Sequence, residues 1–139
     1  MNMAGYAITP LVKKSGIKPG DQVLLVNAPD HFEKLIGTWP TEIQFDTIEK
    51  CLEADYIQLF TQEISELDVL FPILKEKLKK GGGLWISWPK GSSKLLKDLN
   101  GNDVRRIGLE NGLVDVKVCA IDDDWSGLKF MYRRKGRRI

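Results

Sequence analysis

Residues 78–93 read Leu-Lys-Lys-Gly-Gly-Gly-Leu-Trp-Ile-Ser-Trp-Pro-Lys-Gly-Ser-Ser, and this run constrains the fold more than any other. Gly81 to Gly83 supply open backbone of the kind that ends a helix. Lys77, Lys79 and Lys80 sit where cations offset the negative end of a helix dipole. Leu84, Trp85 and Ile86 then form a short apolar run suited to a strand covered on both faces. Pro89 has no N–H to donate, so the strand is expected to stop at Ser87 or Trp88. Trp85 and Trp88 are three residues apart and fall on opposite faces of such a strand. Trp85 is expected to pack under a helix, and Trp88 to stand at the strand end, within reach of a ligand or partner.

The rest of the chain repeats this helix-to-strand grammar. Thr9 and Pro10 suit the N-cap and first position of a short helix that Gly16 stops. Lys18 to Asp21 is a turn. Gln22 to Val26 is a near-continuous apolar run and reads as a central parallel strand. Asp30 with Glu33 resembles a capping box for a helix over 31–36 that ends at Gly37. Glu42 to Asp46 alternates like an edge strand, and Ala54 to Phe60 is a further strand. Thr61 can cap the helix that follows, whose apolar residues run at helical spacing from Ile64 to Leu78. Pro72 lies inside it, so a kink or two abutting helices are expected. Val104, Ile107 and Leu109 mark a helix capped by Asn100 with Asp103, or by Asn102. Two closing strands, 113–121 and 127–133, flank the polar turn Asp122 to Ser126. Strands alternating with helices give an α/β sheet with right-handed crossovers, and the final hairpin makes its last strand antiparallel.

This order resembles the class I S-adenosylmethionine-dependent methyltransferase fold over residues 17–133. Gly20-Asp21-Gln22-Val23-Leu24-Leu25-Val26 is similar to that fold's first strand, Leu78-Lys79-Lys80-Gly81-Gly82 to the helix end and glycine pair before a late strand, and Leu113 to Arg133 to its terminal hairpin. The resemblance implies a Rossmann-like three-layer α/β sandwich filling one domain, 1–139. The chain also resembles small bacterial proteins grouped as a domain of unknown function. That likeness is carried by Gly16-Ile17-Lys18-Pro19-Gly20, Val26-Asn27-Ala28-Pro29, Leu84-Trp85-Ile86-Ser87-Trp88-Pro89-Lys90, Gly112-Leu113-Val114-Asp115-Val116-Lys117-Val118 and Trp125-Ser126-Gly127-Leu128-Lys129; it implies fold and lends no activity. One departure bears on the cofactor. Methyltransferases follow the first strand with a glycine-rich turn, whereas Asn27-Ala28-Pro29-Asp30-His31 has no glycine, and Pro29 withholds a donor. One strand–helix unit is also missing after Asp46.

Ligands on open α/β sheets bind beyond the carboxyl ends of the strands. That rule gathers Asn27, Asp30, His31, Thr61, Ser87, Trp88, Lys90, Ser92, Ser93, Asp122, Asp124 and Trp125 as a candidate mouth. Asp46, at the end of the second strand, stands where nucleotide-binding sheets carry an acid for ribose hydroxyls. His31 is the single histidine, a candidate general base without a partner in the sequence pattern. Neither G-x-x-x-x-G-K-[ST] nor G-x-G-x-x-G occurs, and Asp122 to Asp124 lack the spacing of a calcium loop. Cys51 and Cys119 offer no zinc spacing and read as reduced thiols, so no metal is expected. The net charge of +2 includes five cations among residues 133–139; without them the body stands at −3. A basic tail of this kind can hold nucleic acid by counterion release.

No apolar run approaches the roughly 20 residues a membrane span needs, no signal pattern opens the chain, and a cytoplasmic setting without a membrane partner is expected. The sequence expectation for function is a non-catalytic or vestigial methyltransferase-like module that binds an unidentified small molecule or protein, with useful affinity for S-adenosylmethionine disfavoured. The alternatives are a methyltransferase or other small-molecule enzyme using the mouth, and nucleic-acid binding through the tail.

Overall fold

The computed structural model describes residues 11–133. Ten elements follow in order: α1 (Leu11–Ser15), β1 (Gln22–Val26), α2 (Phe32–Ile36), β2 (Gln44–Asp46), β3 (Ala54–Phe60), α3 (Ile64–Lys77), β4 (Leu78–Pro89), α4 (Gly101–Glu110), β5 (Leu113–Ala120) and β6 (Trp125–Tyr132). The six strands form one sheet in the order β2-β1-β3-β4-β6-β5. The first four run parallel, and β6 is antiparallel to both β4 and β5. β2, the short strand ending at Asp46, is one edge of the sheet, and β5 is the other. Thr9, Pro10 and most of the basic tail, residues 134–139, lie outside the described residues.

Alternation along the strands divides the core in two. Tyr56 and Phe60 of β3 and Trp85 of β4 pack with Leu11, Phe32 and Ile36 beneath α1 and α2. Ile57, Leu59, Leu84 and Ile86 pack with Leu67, Phe71, Leu74, Val104 and Ile107 beneath α3 and α4. Trp85 is 1% exposed, and its indole N–H donates to the carbonyl of Ser15 at 3.0 Å, fixing α1 to the sheet. A polar chain crosses the same face: the Tyr56 hydroxyl donates to Gln58 Oε1, and Gln58 Nε2 donates to Ser87 Oγ at 2.8 Å. Burial pushes the Tyr56 phenol above its ordinary range, against a hydrogen bond to Ser15.

The structure corrects four local expectations. Gly81 to Gly83 do not end the helix; α3 stops at Lys77, and the glycines lie inside the twelve-residue β4. Their use there is close approach: a Cβ on Gly82 would stand 2.6 Å from the carbonyl oxygen of Asp55 on β3. Pro89 does not cut β4 short, because it is the terminal residue, paired with Trp125. At Pro72 there are not two abutting helices: the residue sits within the single helix α3, on its exposed side. Asp30 does not cap α2; the N-cap is His31, without a side-chain cap bond. The Asn100–Asp103 capping box of α4 is formed in both directions, at 3.0 Å each way.

Candidate functional site

Chain direction places the site before any side chain is considered. From β1 the chain crosses to β2 on one side, then returns to β3 on the other side of β1. Adjacent crossovers leaving in opposite directions open a crevice beyond the carboxyl ends of the two strands, the switch point of an open α/β sheet. A cleft of about 770 Å³ lies there, lined by Asn27 and Pro29 after β1 and by Phe60 to Glu63 at the end of β3. Glu66, Leu96 to Asp98 and Trp125 complete the lining. The Trp125 ring stands edge-on to Phe60, with centroids 5.0 Å apart.

Asn27 solves the problem posed by the missing glycine. Its φ is +60°, the left-handed backbone that asparagine tolerates better than other residues with a side chain. The bend that glycine supplies elsewhere is therefore made here with an amide, and that amide is used. Asn27 Nδ2 lies 3.4 Å from Glu66 Oε2, while the Thr61 hydroxyl donates to Glu66 Oε1 at 2.6 Å. Both carboxylate oxygens are oriented by donors from the two strand ends. Glu63 and Asp98 add two more carboxylates to the lining. Lys97 is turned back on its own loop, donating to Ser93 O at 2.9 Å and Leu95 O at 3.2 Å. The cleft is acidic.

The Leu96 to Asp98 segment is tied down. Asp98 accepts from the backbone N–H of Ile64 at 2.7 Å, so it caps α3 from across the chain where Thr61 was expected to, and its own N–H donates to Gln62 O. Gln62 Nε2 donates to Leu96 O at 2.8 Å. Leu96 is left 85% exposed at the rim.

The hairpin turn between β5 and β6 joins the loops around the mouth. Asp122 Oδ1 accepts from the N–H groups of Asp124 and Trp125, each at 2.8 Å, and Oδ2 lies 2.8 Å from His31 Nε2. The Lys90 N–H donates to Asp124 O, and Ser93 Oγ to Asp124 Oδ1 at 2.9 Å. His31 thus has a partner that its sequence context did not reveal. Burial acts to raise the Asp122 carboxyl, but the His31 bond and the two backbone donors outweigh it and hold the group below the usual carboxylate range. A depressed folded-state pKa adds stability above the unfolded value near 3.9 and loses it as pH falls through the folded one. Asp122→Asn is expected to lower unfolding free energy by about 1–2 kcal/mol at pH 7, since His31 is half exposed. Urea denaturation should show that difference shrinking between about pH 5 and pH 2; a constant gap would mean the carboxylate charge plays no part.

Not every candidate joins the mouth. Asn27, Thr61 and Trp125 line the cleft, and His31, Lys90 and Asp122 belong to the loops bonded beside it. Asp30 is exposed on the first of these loops. Ser87 is fully buried and spent on Gln58. Trp88 is 8% exposed, packed against Gly101 at the start of α4, so it is core and not a strand-end platform. Asp46 lines a separate shallow concavity with Gln22, Lys50 and Lys79. Glu66, Leu96, Lys97 and Asp98 had no motif to mark them. Glu66 carried one usable signal, a first-turn position one residue before the buried Leu67.

Sheet order, two helical layers and the antiparallel closing pair define a Rossmann-like, methyltransferase-like fold. Solved structures agree. A S-adenosylmethionine-dependent methyltransferase from Aquifex aeolicus matches with a TM-score of 0.59 at 16% identity, over 88% of each chain. Magnesium protoporphyrin IX methyltransferase from Synechocystis matches with 0.63 at 10% identity, over 88% of this chain and 79% of that one. A TehB-like methyltransferase from Corynebacterium glutamicum matches with 0.55 at 10%, over 94% and 91%. At these identities the likeness is one of fold. No protein-family model matches the chain, and no curated protein does. Among the described residues, no helix is long and apolar enough to cross a membrane, and no group of three or more His, Cys, Asp or Glu is placed to hold a metal ion.

Proposed function

We propose that the chain is a small methyltransferase-like domain that binds S-adenosylmethionine, or a close sulfonium or nucleoside relative, in the switch-point cleft. The observation that carries this reading is the cleft itself, on the two strand ends where such sheets bind ligands. Two objections raised by the sequence weaken. Asn27 takes the left-handed bend without a glycine, and the missing strand–helix unit still leaves a cavity of ligand size. The residues fit the cationic part of the molecule best: Glu63, Glu66 and Asp98 suit its sulfonium and ammonium charges, and Trp125, Phe60 and Leu96 offer apolar cover. When bound, S-adenosylmethionine supplies an electrophilic methyl group. The chain's own part is to orient it, Glu66 being fixed by Thr61 and Asn27. The cytoplasmic setting, with both thiols free, belongs to the same proposal.

The ribose end is less well provided, because Asp46 lies outside the cleft and Pro29 has no N–H. Losing one such contact removes about 1–3 kcal/mol from the roughly 7–8 kcal/mol of a low-micromolar site. The expected dissociation constant is therefore about 10 μM to 1 mM. Isothermal calorimetry should return a saturable isotherm in that range, weakened at least about fivefold by Glu66→Gln, which keeps the shape and removes the charge. The placement of Asp46 also favours a second reading, a non-catalytic interaction module on the same sheet. Absence of saturable heat up to about 5 mM cofactor would put that reading first.

A further inference from the structure

A second charged site lies away from the cleft. Lys117 on β5 and Lys129 on β6 are direct cross-strand partners, on the face that also carries Trp85 and the half-buried Cys119. Like charges directly opposite one another destabilise a sheet. Lys18, exposed and two residues after the Gly16 backbone that Lys129 reaches, brings a third positive charge to the neighbourhood. Lys129 is not a freely solvated side chain. Its Nζ lies 3.0 Å from where a Cβ on Gly16 would stand and 3.4 Å from the same point on Gly83, so the ammonium is lodged between two bare stretches of backbone. Burial first, then the charges of Lys117 and Lys18, hold it below the ordinary lysine range.

Asp21 accepts from the backbone N–H of Lys18 at 2.9 Å, but among the described residues no carboxylate oxygen lies within 4.0 Å of any of the three ammonium nitrogens. Residues 1–10 and 134–139 include no Asp or Glu. Lys117 does donate to the carbonyl of Lys14 at 2.9 Å, at the end of α1. That bond explains where Lys117 points, but not why two further cations converge on it. Three ammonium groups near one another, none paired with a carboxylate and one of them half buried, form a receptor for an oxyanion.

We propose that Lys18, Lys117 and Lys129 form a binding site for phosphate groups, carried either by a small phosphorylated molecule or by a nucleic-acid backbone. The site is independent of the cleft, so it stands or falls apart from the methyltransferase reading.

The test is calorimetric titration of the full chain with inorganic pyrophosphate and, separately, with a single-stranded oligonucleotide of about 12 residues, in about 50 mM salt. At least one anion is expected to bind saturably. Lys18→Gln with Lys129→Gln should weaken it at least about tenfold, and the exposed Lys18→Gln alone by at least about threefold. The unliganded double variant is expected to melt at the same temperature as the parent or higher, because like-charge repulsion is relieved; a merely structural role for these lysines would lower it. Binding of pyrophosphate assigns the site to a phosphorylated molecule. Oligonucleotide binding alone, falling steeply with salt, assigns it to a backbone. Binding of neither anion overturns the proposal. So does binding that the substitutions leave unchanged, which would move the interaction to the basic tail.

Discussion

Trp85→Ala is expected to lower the free energy of unfolding by about 3–5 kcal/mol. The indole is among the largest fully buried side chains in the protein. It fills the space between β4 and α1, with its ring edge 3.1 Å from where a Cβ on Gly127 of β6 would stand, so alanine leaves a void that three elements border. Its N–H also holds the Ser15 carbonyl at 3.0 Å, and the loss strands an acceptor at the end of a five-residue helix too short to persist alone. Trp85→Phe separates the two contributions: it keeps most of the volume, drops the hydrogen bond and should cost about 1–2 kcal/mol. Urea denaturation followed by circular dichroism measures both. A loss under about 1 kcal/mol for the alanine variant would mean that α1 does not seal this face.

Gly108→Val is expected to cost about 3 kcal/mol, at the upper end of what overpacking exacts. In most helix interiors, replacing glycine gains up to about 1 kcal/mol in propensity. Here packing reverses the sign. A Cβ on Gly108 would stand 2.1 Å from Phe130 Cε1 and 2.4 Å from Cζ. Phe130 cannot swing aside freely, because it is fully buried and set edge-on to Phe71 at 5.4 Å. Coupling is therefore expected. Gly108→Ala should be destabilising in the parent and close to neutral when Phe130 is Leu, with an interaction energy of at least about 1 kcal/mol in the double-mutant cycle. Additive effects would show that α4 does not rest on Phe130.

Trp85 and Trp88 show what the sequence made legible. Trp85 was readable as core because it sits in a short apolar run, where period and composition agree. Trp88, three residues on, was readable only as the opposite face; whether that face was covered depended on Gly101, which lets α4 approach the ring. The glycine run misled for a related reason. Glycine permits open backbone at a helix end and close approach in a strand, and only the neighbouring Asp55 carbonyl decides between them. The residues of the mouth follow from the rule that ligands bind beyond the carboxyl ends of the strands, but the partners among them do not. His31 and Asp122 are separated by 91 positions, and no periodicity connects them. Glu66 and Asp98 enter the cleft because α3 begins there and the β4–α4 loop folds over it. The missing glycine after β1 counts against the cofactor on sequence alone, since nothing there indicates that Asn27 adopts a positive φ.

A heteronuclear NMR titration of the labelled protein with S-adenosylmethionine locates binding as well as detecting it. Saturable amide shifts are expected at Asn27 to His31, Phe60 to Glu66 and Leu96 to Asp98, with the Trp125 indole N–H among them, and a much smaller response in Glu66→Gln. A spectrum that stays unchanged to millimolar cofactor, or shifts that cluster away from the ends of β1 and β3, would contradict binding in the switch-point cleft.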